Sequence, residues 1–360
     1  MKLTKIDWYI IKRFLGAFLL ALGLFTVIII VFDLSEKIDE FMENNAPFSE
    51  VIFDYYVNWV PFLLNLFSPV FVFISVIFFT SKMAQNSEII AILAGGVSYK
   101  RLLVPYILTA ILLALVSFSL FAWIIPHADK TRVVFENEYI RDRSHYTASQ
   151  IKTQISPGVI MSIGNFNFSD SAGFKVSLEN VVDGELKSKL YADRLTWNDK
   201  TNTWKLSKWW SREFIDGMEI LNSGVAMDTM IPFNPEDFFR KNDDVQMFNL
   251  AELDEMIVLE EMRGTGNTFF YTTERYKRFA MPFAIIILTI IGVSVASKKS
   301  RGGIGLNLGI GLLISFSFLV VFQFFLAYGS SGALHPLLAV TIPNLIFAGI
   351  AFVMYRLAQK

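Results

Sequence analysis

Six long apolar runs punctuate the chain: Phe14 to Phe32, Val57 to Thr80, Leu102 to Ile125, Phe279 to Ala296, Ile304 to Tyr328, and Leu334 to Tyr355. Each reaches about 18 residues or more, enough to cross a hydrocarbon core of roughly 30 Å at about 1.5 Å per residue. None contains Asp, Glu, Lys or Arg. A charge at the midplane would cost about 2.5 to 3.5 kcal/mol, against a gain of roughly 0.3 to 0.6 for each Leu, Ile, Phe or Val. The pattern therefore predicts six transmembrane helices.

Between the third and fourth runs, from about Asp129 to Gly266, polar and apolar residues alternate with the period of strands. Phe174 to Val181 and Lys189 to Trp197 read as strands, and Asp183-Gly184, Asn198-Asp199, Asp216-Gly217 and Asn222-Ser223-Gly224 read as turns. Short strands so spaced suggest an antiparallel sandwich or jelly roll. Asn249-Leu-Ala-Glu252 then has the form of a capping box opening an amphipathic helix that stops near Gly264. The expected layout is residues 1–128 with three spans, 129–266 as an inserted antiparallel β jelly-roll domain, and 267–360 with three more spans.

Composition agrees with a membrane protein: 53% of residues are hydrophobic and 35 are Phe. A net charge of -1, with basic residues in short scattered clusters, gives no case for nucleic acid. Without cysteine there is no disulfide framework and no thiolate chemistry, and three His (His127, His145, His335) are too dispersed for a metal cluster. Lys2, Lys5, Lys12, Arg13, Lys82, Lys100, Arg101, Lys298, Lys299, Arg301, Arg356 and Lys360 all fall on one side of the six spans. The positive-inside rule makes that side the cytoplasm, with both termini there and the β domain opposite. Val31-Phe32-Asp33-Leu34-Ser35 lacks a small-x-small cleavage site, so the first run reads as a retained anchor.

No nucleotide loop, nucleophile elbow or zinc-helix motif occurs. Gly95-Gly96-Val97-Ser98-Tyr99-Lys100 lacks the spacing of a phosphate loop and reads as a helix end and turn. The polar residues within spans, Asn58, Asn65, Gln323 and Asn344, read as interhelical hydrogen-bond formers. An ion-coupled transporter usually keeps charges inside its spans, which makes that class the weaker reading here. Two short segments stand out. Met83 to Gly96 predicts a cytoplasmic helix, about residues 84–96, whose Ile89, Ile90, Ile92 and Leu93 need cover from a lipid interface or a partner's groove. Arg275, Lys277 and Arg278 precede the fourth span on the side opposite the other cations, where they would meet anionic groups or anchor the helix in the headgroups.

The whole chain resembles the LptF/LptG permeases of lipopolysaccharide export. The likeness rests on the three-domain-three layout, Ile6-Asp7-Trp8-Tyr9-Ile10, the loop Met83-Ala-Gln-Asn-Ser-Glu-Ile-Ile-Ala-Ile-Leu-Ala-Gly-Gly, Arg278-Phe-Ala-Met-Pro282 and Pro343-Asn344-Leu345. The N-terminus and the Ala-Gln-x-Ser-Glu form look closer to the LptG branch. The resemblance implies an inner-membrane half-transporter with no ATPase site and no cofactor of its own. Its implied partners are a second LptF/LptG-type permease, a cytoplasmic LptB-type ATPase dimer that binds ATP and Mg, LptC/LptA-type jelly-roll bridge proteins in the periplasm, and lipopolysaccharide. It also implies that the loop helix is the coupling helix, with Ser87, Glu88, Ile89, Ile92, Leu93 and Gly95 at the ATPase and Glu88 docking on it.

The chemistry of such a substrate fits the layout. An acyl chain of about a dozen methylenes costs roughly 10 kcal/mol to expose to water, so it must pass between covered apolar surfaces. Phe18, Phe25, Phe32, Phe67, Phe71, Phe318 and Phe322 are candidates to line a cavity, with lipid-facing or helix-packing roles as the alternative for each. Gly305, Gly309 and Gly311 would let the fifth span approach a partner helix. Where the family often has several cations at the outer end of the first span, this chain has Asp33-Leu-Ser-Glu-Lys37-Ile-Asp-Glu40, with Lys37 alone. The candidate substrate contacts are thus Lys37, Phe32, Phe67 and Phe318, joined by Arg275, Lys277 and Arg278. A secondary transporter, or a periplasmic scaffold or sensor, remains the alternative function class.

Overall fold

The computed structural model describes residues 3–140, 147–168, 170–199, 201–215, 218–231, 235, 242–264, 267–299 and 303–359. The chain divides into two compact units. One comprises Met1–Phe135, Gln246–Leu250 and Phe269–Lys360; the other comprises Glu136–Val245 and Ala251–Thr268.

Five apolar runs are helical throughout and the sixth from Pro336 onward, and every helix outlasts its run at one end or both. In chain order we number α1 (Lys5–Glu43), α2 (Phe48–Gln85), the short α3 (Glu88–Ala94), α4 (Tyr99–Tyr139), α5 (Leu250–Arg263), α6 (Thr268–Ala296), α7 (Gly303–Ser330) and α8 (Pro336–Ala358). A capping box opens α1: Asp7 N–H donates to Thr4 Oγ1 at 3.4 Å, and Thr4 N–H donates to Asp7 Oδ2 at 2.7 Å.

Wide i→i+5 turns interrupt α2 at Val51–Tyr56 and α4 at Leu120–Ile124. The second relieves Pro126, which has no N–H to give the carbonyl of Ala122 and would collide with it in a regular helix. Ile125 N–H instead reaches Leu120 O. The helix thereby continues through Asp129 to Tyr139, where the alternating pattern implied strand, and the first strand among the described residues starts at Thr147.

Within the helical unit, α2 and α6 form the spine. The most apolar window of α6 is 61% buried and that of α2 is 56%, against 11% for α1 and 28% for α7. One core joins Ile10 and Phe14 of α1 to Val76 and Phe79 of α2, Tyr106 of α4 and Ile285 of α6. A second joins Phe73 and Ile77 of α2 to Leu288 and Ile291 of α6, Phe318 of α7 and Phe347 of α8. Polar span residues act largely as expected. Asn65 Nδ2 donates to Ser117 O at 3.0 Å and Asn344 Nδ2 to Ala280 O at 3.2 Å, each crossing to another helix. Asn58 differs: its amide returns to Phe53 O and Asp54 O, at 2.8 and 3.0 Å, satisfying carbonyls of the wide turn.

In the second unit, six strands, β1 (Thr147–Ser156), β2 (Val159–Asn167), β3 (Ala172–Val182), β4 (Glu185–Asn198), β5 (Thr203–Ile215) and β6 (Met218–Thr229), pair antiparallel in chain order. This is the expected inserted antiparallel β domain. Its described strands are joined neighbour to neighbour, with no Greek-key crossover. Asp183 and Gly184 both take positive φ, 53° and 80°, the form of a tight hairpin turn. The sheet curls: Phe166 of β2 and Trp204 of β5 have ring centroids 6.2 Å apart, although two strands, at about 4.8 Å spacing, intervene between theirs. Met161, Ile163, Phe166, Val176, Leu195 and Leu206 fill the inner face. Asn222-Ser223-Gly224, read as a turn, lies inside β6. Gly224 pairs with Trp209, and a Cβ there would stand 2.8 Å from the indole, so the glycine serves close approach rather than a bend. Asp216-Gly217 lies outside the described residues. The helix expected after Asn249 is α5, ending before Gly264 at φ +63°.

Candidate functional site

The loop between the second and third spans builds a compact projection. After α2 ends, Ser87 takes a left-handed backbone (φ +61°), α3 runs for seven residues, and Gly96 (φ +85°) turns the chain into α4. Ser98 then caps α4, its hydroxyl accepting from Arg101 N–H at 3.3 Å. The expected helix over about 84–96 is thus a seven-residue helix bounded by two left-handed residues.

Only part of α3 faces outward. Ile89 is 1% exposed and belongs to the core with Phe79, Met83, Leu102 and Tyr106, while Ile92 and Leu93 lie half-buried against that core. These three follow the i, i+3, i+4 spacing of one helix face. Ile90, off that face, is 55% exposed, with Ala91, Ala94 and Gly95 beside it. The chain itself therefore covers Ile89, half-covers Ile92 and Leu93, and leaves Ile90 exposed. Ile90 was absent from the expected contact set, although the helical period separates it from the others.

Glu88 is held rather than free. Tyr9 Oη donates to Glu88 Oε2 at 3.0 Å, and Asn86 Nδ2 donates to Oε1 at 3.2 Å. The Tyr9 ring packs edge-on to Phe79 at 6.2 Å, and the Arg13 guanidinium lies 5.5 Å from its centroid. The start of α1 thus orients the carboxylate at the start of α3.

At the other end of the helices, the cations singled out in the sequence are all engaged. Lys37 Nζ meets Asp33 Oδ1 at 2.8 Å and the Tyr55 hydroxyl, and lies 4.8 and 5.3 Å from the rings of Tyr55 and Trp59. This cage uses the charge that the sequence offered for substrate phosphates. Lys277 pairs with Glu274 at 2.9 Å. Arg278, fully buried, donates to Phe248 O at 2.6 Å and Phe121 O at 3.3 Å, and its Nε lies 3.8 Å from Glu274. It ties the segment before α5 to α4 and α6, an internal job that a buried guanidinium with carbonyl partners performs well. The guanidinium of Arg275 lies 6.0 Å from the Tyr276 ring.

The aromatic candidates part company. Phe32 is 72% exposed on α1, in line with exposed Leu24, Ile28 and Val31. Phe67 sits half-buried beside Phe25, at 5.4 Å, and Phe25 lies 4.5 Å from Phe71. Phe318 is enclosed in the second core, stacked on Phe322 at 5.5 Å and edge-on to Phe347 at 5.1 Å. Gly311 also serves internal packing, since a Cβ there would meet Ile77 Cδ1 at 2.4 Å, whereas Gly305 and Gly309 face open space.

No curated protein sequence matches the chain. The family profile described as "Lipopolysaccharide export system permease LptF/LptG" matches residues 8–357, spanning all six helices and the inserted sheet without separating the two branches. The chain belongs to the LptF/LptG family of lipopolysaccharide export permeases, transport subunits of the inner membrane.

Proposed function

We propose that this permease is one half of an ATP-driven exporter that extracts lipopolysaccharide from the inner membrane and passes it to a periplasmic bridge. The observation that carries the reading is α3: a short helix anchored by Ile89, with Glu88 oriented by Tyr9 and Ile90 projecting outward. A rigid stub with one apolar knob and one held carboxylate suits docking into a groove of a nucleotide-binding partner, where a few desolvated anchors supply most of the affinity. ATP and Mg would be bound by that LptB-type dimer, and the basic ends of the helices would face the cytoplasm with it.

The thinly covered α1 and the open Gly305 and Gly309 of α7 are the surfaces that suit a second LptF/LptG-type permease. The exposed row Leu24, Ile28, Val31 and Phe32, beside Phe25 and Phe67, would then wall a lipid path between the halves. Among the described strands β1 and β6 end the sheet, which suits strand addition by LptC/LptA-type bridge proteins. Lys37, Arg275 and Lys277 are the proposed contacts for substrate phosphates, each after exchanging its present neighbours.

The test is Glu88→Ala in the full complex. We expect an inserted, folded chain that co-purifies with less ATPase and exports less lipopolysaccharide. Unchanged association and export would defeat the reading, as would uphill transport by the chain in vesicles with no ATPase present.

A further inference from the structure

An apolar furrow of about 440 Å³ opens between α4, α6 and α8. Leu103, Ile107, Ile290 and Phe352 line it, and Lys100 and Tyr355 stand at one end. A second hollow of about 360 Å³ shares Ile287 and Ala348 with it and continues along α6 and α8 as far as Tyr276. Tyr276 to Ile290 alone spans about 21 Å of helix, so the furrow follows most of the apolar thickness.

Cations gather at the end by Lys100. Lys100 is exposed, with no hydrogen bond or ion pair to any described residue. Lys298 Nζ donates to Leu357 O at 2.8 Å, and the Arg356 guanidinium lies 5.2 Å from the Phe352 ring, which places both at this end. Residues 98–107, 284–299 and 345–359 contain no Asp or Glu to neutralise them. Tyr99 and Tyr355, with ring centroids 6.0 Å apart, add the amphipathic pair typical of a headgroup boundary.

We propose that this furrow holds one acyl chain of an anionic glycerophospholipid of the membrane, with the lipid phosphate on Lys100. Apolar lining selects a hydrocarbon chain, and a basic rim between transmembrane helices selects an anionic headgroup. The lipid would fill the seam between α6 and α8 where Asn344 bonds Ala280, packing the back of the bundle.

The full chain, purified in detergent and stripped of lipid, is offered equimolar phosphatidylglycerol and phosphatidylcholine with identical acyl chains, and retained lipids are counted by native mass spectrometry. We expect phosphatidylglycerol to be favoured. Lys100→Gln should lower that preference about fivefold, the worth of one cation near a headgroup. Ala348→Phe, which fills the furrow, should abolish retention of either lipid, and glycerol 3-phosphate should not compete. An unchanged preference in Lys100→Gln overturns the proposal, as does unchanged retention in Ala348→Phe. Competition by glycerol 3-phosphate would assign the rim to a free phosphate instead. A dimer that Ala348→Phe splits, with lipid count unaltered, would assign the furrow to a second copy of the chain.

Discussion

Arg101 grips both carboxylate oxygens of Asp7, at 2.7 and 2.5 Å, across 94 residues of sequence. The pair fastens the start of α1 to the start of α4, flanking α3. Asp7 is almost wholly buried while the Arg101 side chain is 25% exposed. Breaking a buried pair costs about 3 to 5 kcal/mol and an exposed one under about 1, which places this one near 2. Asp7→Asn and Arg101→Lys should each lower stability by about that amount, since Lys lacks the two-pronged geometry. Thermal unfolding of the single and double variants in detergent checks this, and simple additivity would show that the pair contributes nothing.

The two adjacent isoleucines of α3 should behave oppositely. Ile89→Ala removes a core side chain and should cost about 2 to 4 kcal/mol of stability. Ile90→Ala should leave stability within about 0.5 kcal/mol yet weaken association with the ATPase about tenfold. Melting curves and co-purification from membranes separate the two.

Arg278→Gln should destabilise the chain by about 2 to 4 kcal/mol, because it strands the carbonyls of Phe248 and Phe121 and leaves Glu274 with Lys277 alone. Lys277→Gln should cost under about 1 kcal/mol. Hydrogen exchange over residues 246–250 should rise in the first variant and not in the second.

The sequence conveyed the spans and much of the sheet because both rest on local period. The i, i+3, i+4 face of Ile89, Ile92 and Leu93 was equally readable. What stayed hidden involves contacts distant along the chain: Asp7 with Arg101, and Arg278 with Phe121, 157 residues apart, leave no local pattern. Without Glu274 and Phe248 in view, Arg278 reads as a surface cation. Similarly, Gly224 looks like a turn residue until Trp209 appears across the strand pair.

Two glycines of α7 should respond differently to alanine. At Gly329 a Cβ would stand 2.7 Å from the Ala339 Cβ and 3.0 Å from Thr273 Oγ1, short stubs on helices that cannot swing aside. Gly329→Ala should cost about 1 to 3 kcal/mol. Gly309→Ala, with nothing within 4 Å, should leave the isolated chain unharmed or slightly firmer. Its effect would emerge only on pairing with the other permease, as read by co-purification.

The loosened turn at Leu120–Ile124 amounts to a spare residue carried inside an otherwise regular rod. Deleting one position there would restore ordinary winding, swivel Ile125–Tyr139 by about 100°, and drive Pro126 back against a carbonyl. Evolution can therefore shorten this rod at that point only by surrendering the proline as well, so relatives that lack one should lack the other.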